Sequence, residues 1–172
     1  MAAAWCSSTT TGPIPSTSWP DSMAEHEEKG PRTPSRASQW GVRLAYAIVF
    51  VLNVSCALSF IFSASSFAPA YELGGVAGEA AVQGIGIAFL MWNATYPAVI
   101  ASPVRFRQLG AVVLAQQVIG LVGETALLLS LPAGHAVLAA GILRFIVFDA
   151  GGLMAMVAAF AWMIASGRRK AF

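Results

Sequence analysis

Charge is scarce in this chain: 10% of its 172 residues are Asp, Glu, Lys or Arg, where ordinary soluble domains carry about a quarter. With 57% hydrophobic residues and a mean hydropathy of +0.69, that scarcity excludes an ordinary soluble domain. Cysteine is scarce as well. Cys6 lies in a polar tail and Cys56 in an apolar run, a placement that excludes a disulfide scaffold. The two histidines, His26 and His135, sit in a charged tail and at the edge of an apolar run, so neither a metal centre nor another cofactor is expected. The apolar runs lack the period-2 alternation of a membrane β-barrel. Gly74-Gly75-Val76-Ala77-Gly78 follows no strand pattern, which excludes a phosphate loop and leaves a flexible connection. No Ser–His–Asp or Cys–His set can be placed, so an enzyme is not expected.

What the chain does have is four long apolar runs, at about 40–62, 82–101, 108–131 and 137–165. Each is near or above the roughly 20 residues that a helix needs to cross the hydrocarbon core. The expected fold is all-α, a polytopic membrane protein with four transmembrane helices in an antiparallel bundle. Its orientation follows from the basic residues. Lys29, Arg32, Arg36 and Arg43 lie before or at the start of the first run, Arg105 and Arg107 between the second and third, and Arg168, Arg169 and Lys170 after the fourth. The 63–81 connection and the 131–136 turn contain no Lys or Arg. By the positive-inside rule both termini are expected in the cytoplasm of a multi-pass cell-membrane protein. Trp40, Trp92, Tyr96 and Trp162 are expected at the inner boundary, and Phe62, Phe67 and Tyr71 at the outer one. The net charge of +2 then reflects topology. The expected partners are the lipid bilayer and a second copy or another membrane protein, not nucleic acid.

Residues 1–38 are rich in Ser, Thr and Pro without apolar periodicity, a composition that cannot offset its ordering entropy and reads as a disordered cytoplasmic tail. It has neither the basic start nor the apolar core of a secretory signal. Met23 is the more ordinary start, and residues 1–22 are expected to be a gene-start artefact. The membrane domain takes residues 39–166, and 167–172 form a basic tail. Within the domain, the 63–81 connection is expected to be re-entrant or interfacial, and Leu131-Pro132-Ala133-Gly134 a tight turn joining the last two helices as a hairpin.

Ionisable groups inside a membrane cost at least about 2.5–3.5 kcal/mol on insertion scales, so they normally face a partner or a cavity. Here they are Glu124, Arg144 and Asp149, accompanied by Asn53, Gln83, Asn93, Gln116 and Gln117. Counted from the 131–134 turn, Glu124 and Arg144 both lie about 15 Å deep, at matching depth on adjacent helices, and an ion pair between them is expected. Gln116, Gly120, Gly123 and Glu124 follow i, i+4, i+7, i+8 and share a helix face. Gln83, one turn after Glu79, is expected to join Glu124 and Arg144 in an outward polar cluster. Asp149 lies deeper and points about 140° away from Arg144, so Asn93 and Gln116 are its expected partners. These six residues (Gln83, Asn93, Gln116, Glu124, Arg144 and Asp149) are the candidates for a ligand-binding or ion-pair role.

The small size, four helices, cytoplasmic termini and polar clusters, anchored on Glu124, Arg144-Phe145 and Asp149-Ala150-Gly151-Gly152, give residues 40–166 an architecture that resembles the DoxX-like group of small bacterial membrane proteins. The Ala- and Gly-rich composition suits a GC-rich bacterium. The resemblance implies an accessory role in the envelope near redox chemistry, and no functional residue is carried over from it. Two functions are weighed. In the first, a structural or accessory membrane subunit, the Glu124–Arg144 pair fixes the last two helices. In the second, a small transporter or ligand-binding membrane protein, the same residues line an outward-facing polar cavity.

Overall fold

The computed structural model describes residues 33–168. The 1–32 part of the expected tail and residues 169–172 lie outside the described residues. Helix α1 runs Arg36–Phe62, starting four residues ahead of the apolar run. The reason is a cap. The Ser35 hydroxyl accepts from the Ser38 backbone N–H at 3.2 Å, satisfying one of the donors that a helix start leaves free.

After α1 the chain forms a four-residue helix α2, Ala64–Phe67, and a 3₁₀ turn, Ala68–Tyr71, with Pro69 in its first positions. The turn ends at Glu72, whose φ of 56° is left-handed. Leu73 N–H closes back on Ala68 O at 3.0 Å. Helix α3 covers Gly75–Asn93. The glycine segment is therefore the opening turn of a helix, not the flexible connection expected of it, and the helix begins seven residues before the apolar run. A second departure follows Asn93. Pro97 has no N–H to give to Asn93 and crowds that carbonyl, so α3 stops and a short α4, Tyr96–Ala101, completes the span. Helices α5, Arg107–Ser130, and α6, Ala136–Arg168, are joined by a turn with Gly134 at φ 104°.

Among the described residues every regular element is helical. Four spans, Arg36–Phe62, Gly75–Ala101, Arg107–Ser130 and Ala136–Arg168, are long and apolar enough to cross a membrane. Their surfaces agree with that solvent, because large apolar side chains point outward all along them. Leu44, Val51, Ile119, Val147 and Met154 are all exposed, Ile119 by 68%.

Helix α1 is the hub, packed on α3, α4 and α6, while α5 packs on α6. Two interior clusters result. One joins Val42, Tyr46 and Val49 of α1 to Tyr96, Val99, Val113, Met156 and Met163. The other gathers Phe60, Ala64, Ala68 and Val82. At the first end, Ser38 Oγ meets Ser166 Oγ at 2.8 Å and Arg43 Nη2 donates to Ala101 O at 3.0 Å. At the second end, His135 Nδ1 donates to the Glu72 carboxylate. No contact comparable to the α1–α3 seam joins α3 to α5 or α6, and that separation makes the site.

Candidate functional site

Where the α3 backbone stands away from α5 and α6, side chains bridge the gap around a cavity of about 420 Å³. Each helix contributes one stripe. α5 offers Gln117, Gly120 and Glu124, at i, i+3 and i+7. α6 offers Gly141, Arg144–Phe145 and Phe148–Asp149. α1 offers Asn53, Cys56 and Phe60, and α3 offers Phe89, Trp92 and Asn93. The wall nearer the Glu72–His135 end is aromatic. Phe60 lies edge-on to Phe67 at 5.0 Å and to Phe145 at 6.2 Å. Phe89 reaches across to Phe145 at 6.4 Å, so ring edges hold the spacing that the backbones leave open.

The other wall is polar. Asn53 Nδ2 donates to Asn93 Oδ1 at 3.4 Å, and Asn93 Nδ2 donates to Phe89 O at 2.8 Å. Buried Gln117 accepts from the Tyr96 hydroxyl at 3.3 Å. Gly120 is a meeting point. A Cβ built there lies 3.5 Å from the Trp92 ring and 3.8 Å from Asp149 Oδ2, so the indole and the carboxylate converge on the bare backbone of α5. Glu124 Oε2 and Trp92 Nε1 are both buried with no hydrogen-bond partner, a costly state for an acceptor and a donor on two residues that line one cavity. The Arg144 side chain is on the exposed edge.

Four sequence candidates, Asn93, Glu124, Arg144 and Asp149, meet in this cavity. The expected Glu124–Arg144 ion pair does not form. Among the described residues the single acid–base contact within 4 Å is His135–Glu72. Arg144 is exposed while Glu124 Oε2 is buried. Gln83 stands apart, exposed and donating to Ile61 O at 3.3 Å. Gln116 also faces away from the cavity. Its neighbour Gln117 lines the cavity with Asp149, because the α5 stripe that holds Gly120 and Glu124 continues to the residue three before Gly120, not four. Asn93 bonds to Asn53 rather than to Asp149. Trp92, expected at the membrane boundary, lines the cavity. Its signal in the sequence was its place one residue before Asn93 and five before the helix-breaking Pro97.

Outside the spans, Glu72 fastens the connection to α6. It accepts from His135 Nδ1 and from the Leu138 backbone N–H at 3.4 Å. The hydrogen bond from His135, aided by that from Leu138, holds the Glu72 carboxyl below its usual range. Phe67, Ala70 and Tyr71 of the fastened segment are cavity lining. The connection therefore covers one end of the site. Among the described residues no group of His, Cys, Asp and Glu has the spacing to hold a metal ion. No protein-family model matches the chain, and comparisons with curated proteins and with solved structures find no match.

Proposed function

We propose that this is an integral membrane protein that binds a small molecule within the membrane, in the cavity between α3, α5 and α6. The observation that carries the reading is a cavity whose lining includes Glu124 and Trp92, each with a buried polar atom, Oε2 and Nε1, that has no hydrogen-bond partner. A cavity near 420 Å³ falls in the range of about 300–1,000 Å³ typical of small-molecule sites. Predominantly apolar walls with a few convergent polar groups are the pattern of such sites. The structural-subunit reading rests on a Glu124–Arg144 contact, and that contact is not made.

In this reading the four spans form an antiparallel bundle with both termini in the cytoplasm. Its support is electrostatic. Arg36, Arg43, Arg105, Arg107 and Arg168 belong to the end held by the Ser38–Ser166 and Arg43–Ala101 contacts. The end carrying Glu72 and His135 has no Lys or Arg in its connections.

The test is thermal stability across a panel of small membrane-soluble compounds, with wild type and Gly120→Leu compared in nanodiscs. The leucine side chain enters the cavity at the point where Trp92 and Asp149 converge. A true ligand at 100 times its Kd stabilises the folded state by about 2.7 kcal/mol. It is expected to raise the wild-type melting temperature and leave that of Gly120→Leu unmoved. If every compound shifts both proteins equally, the cavity is not a binding site.

A further inference from the structure

The cavity's charges are not arranged evenly, and their arrangement selects a ligand. Both carboxylates lie on the inner surface. Glu124 presents a buried, unpartnered Oε2, and Asp149 Oδ2 converges with the Trp92 ring at Gly120. The single cation, Arg144, is on the exposed edge, and no carboxylate lies within 4 Å of it. The inner surface thus carries two acids and no base, beside the rings of Trp92, Phe60 and Phe145. Aromatic faces with carboxylates behind them stabilise an organic cation, through the ring quadrupole and through Coulomb attraction that is strong where water is excluded. The same surface penalises an anion. A purely apolar guest leaves Glu124 Oε2 unanswered, and a buried group without a partner is costly.

From this we infer that the cavity takes a lipophilic organic cation, a quaternary ammonium or protonated amine carrying a ring, with the charge between Glu124 and Asp149 and the ring among Trp92, Phe60 and Phe145. The inference rests on the ligand-binding reading and adds the charge of the ligand to it.

Three probes, the first two of equal shape, separate the possibilities, each titrated into wild-type protein in nanodiscs with empty nanodiscs subtracted. They are benzyltrimethylammonium, its neutral isostere neopentylbenzene, and the anion 4-tert-butylbenzoate. The ammonium is expected to bind about tenfold tighter than the neutral isostere, the margin of a desolvated cation–aromatic contact with an acid behind it. Glu124→Gln and Asp149→Asn should each remove most of that margin. Equal affinity for the ammonium and the neutral isostere overturns the inference and leaves a charge-blind cavity that still binds. Tighter binding of the benzoate, lost in Arg144→Gln, overturns it in favour of an anion site at the edge. Failure of all three to bind also overturns it, and the ligand-binding reading then stands or falls on the Gly120→Leu panel. The comparison among probes is made on the wild-type chain, so it holds even where a variant folds poorly.

Discussion

Gly86 and Gly84 sit one half-turn apart on α3 and meet opposite surroundings. A Cβ on Gly86 would come within 2.7 Å of Ala57 O and 3.0 Å of Phe60 on α1, whereas nothing lies within 4 Å of one on Gly84. Without a hydrophobic force between helices in lipid, such close approach is how two spans hold each other. Gly86→Ala is expected to destabilise the protein by about 1–3 kcal/mol, the usual toll of overpacking, and Gly84→Ala to leave its stability unchanged. Denaturant titration of the two variants in mixed micelles checks this, and similar losses at both positions would count against the α1–α3 seam. The buried hydroxyl of Tyr96 offers a second test. Tyr96→Phe removes the donor to Gln117 and is expected to cost about 1 kcal/mol. It also frees Gln117 beside the cavity, so ligand affinity should change together with stability.

At the scale of elements, the connection between α1 and α3 is the part most exposed to pH. Its fastening residue, Glu72, has a left-handed backbone and a carboxyl held below its usual value of 4.5 by His135 and Leu138. A lowered carboxylate pKa contributes stability that is complete above the unfolded value and is lost as pH falls through the folded one. Wild type should therefore melt higher than Glu72→Gln at neutral pH, and the gap should close as pH drops below 4.5. A gap that stays constant through that range would show that Glu72 acts without its charge. This element also marks the limit of what could be read from the chain. The four apolar spans were legible from hydropathy, since their length and composition are set by the solvent they meet. The ordered connection was not, because Glu72, which ends the 3₁₀ turn, is held by a tertiary contact from His135 on a distant part of the chain.

At the scale of the whole molecule, two packed clusters flank a cavity, and the outer surface of every span is apolar. Cysteines introduced at Ala133 and Ser102 test the proposed orientation in a Cys6→Ser, Cys56→Ser background. Ala133 should react with a membrane-impermeant maleimide on intact cells, and Ser102 only after permeabilisation. The reverse pattern would invert the topology. The polar groups of the site were half legible. Depth counted from a turn suggests two layers, Glu124 with Arg144 and a deeper Asp149 with Asn93, whereas the structure lines one cavity with all four. Azimuth is harder, since one residue of rotation is about 100°, and that angle separates Gln116 from Gln117. An ion pair needs both depth and azimuth, and the expected pairing of Glu124 with Arg144 is not made.

The most direct measurement is a cryo-EM reconstruction of the wild-type protein in lipid nanodiscs, read at the space between Trp92, Glu124 and Phe145. A binding cavity predicts non-protein density against the backbone of Gly120, with Glu124 facing that density and apart from Arg144. If protein side chains fill the space, with Glu124 and Arg144 joined as an ion pair, the cavity account is wrong and the helices are held by a structural contact.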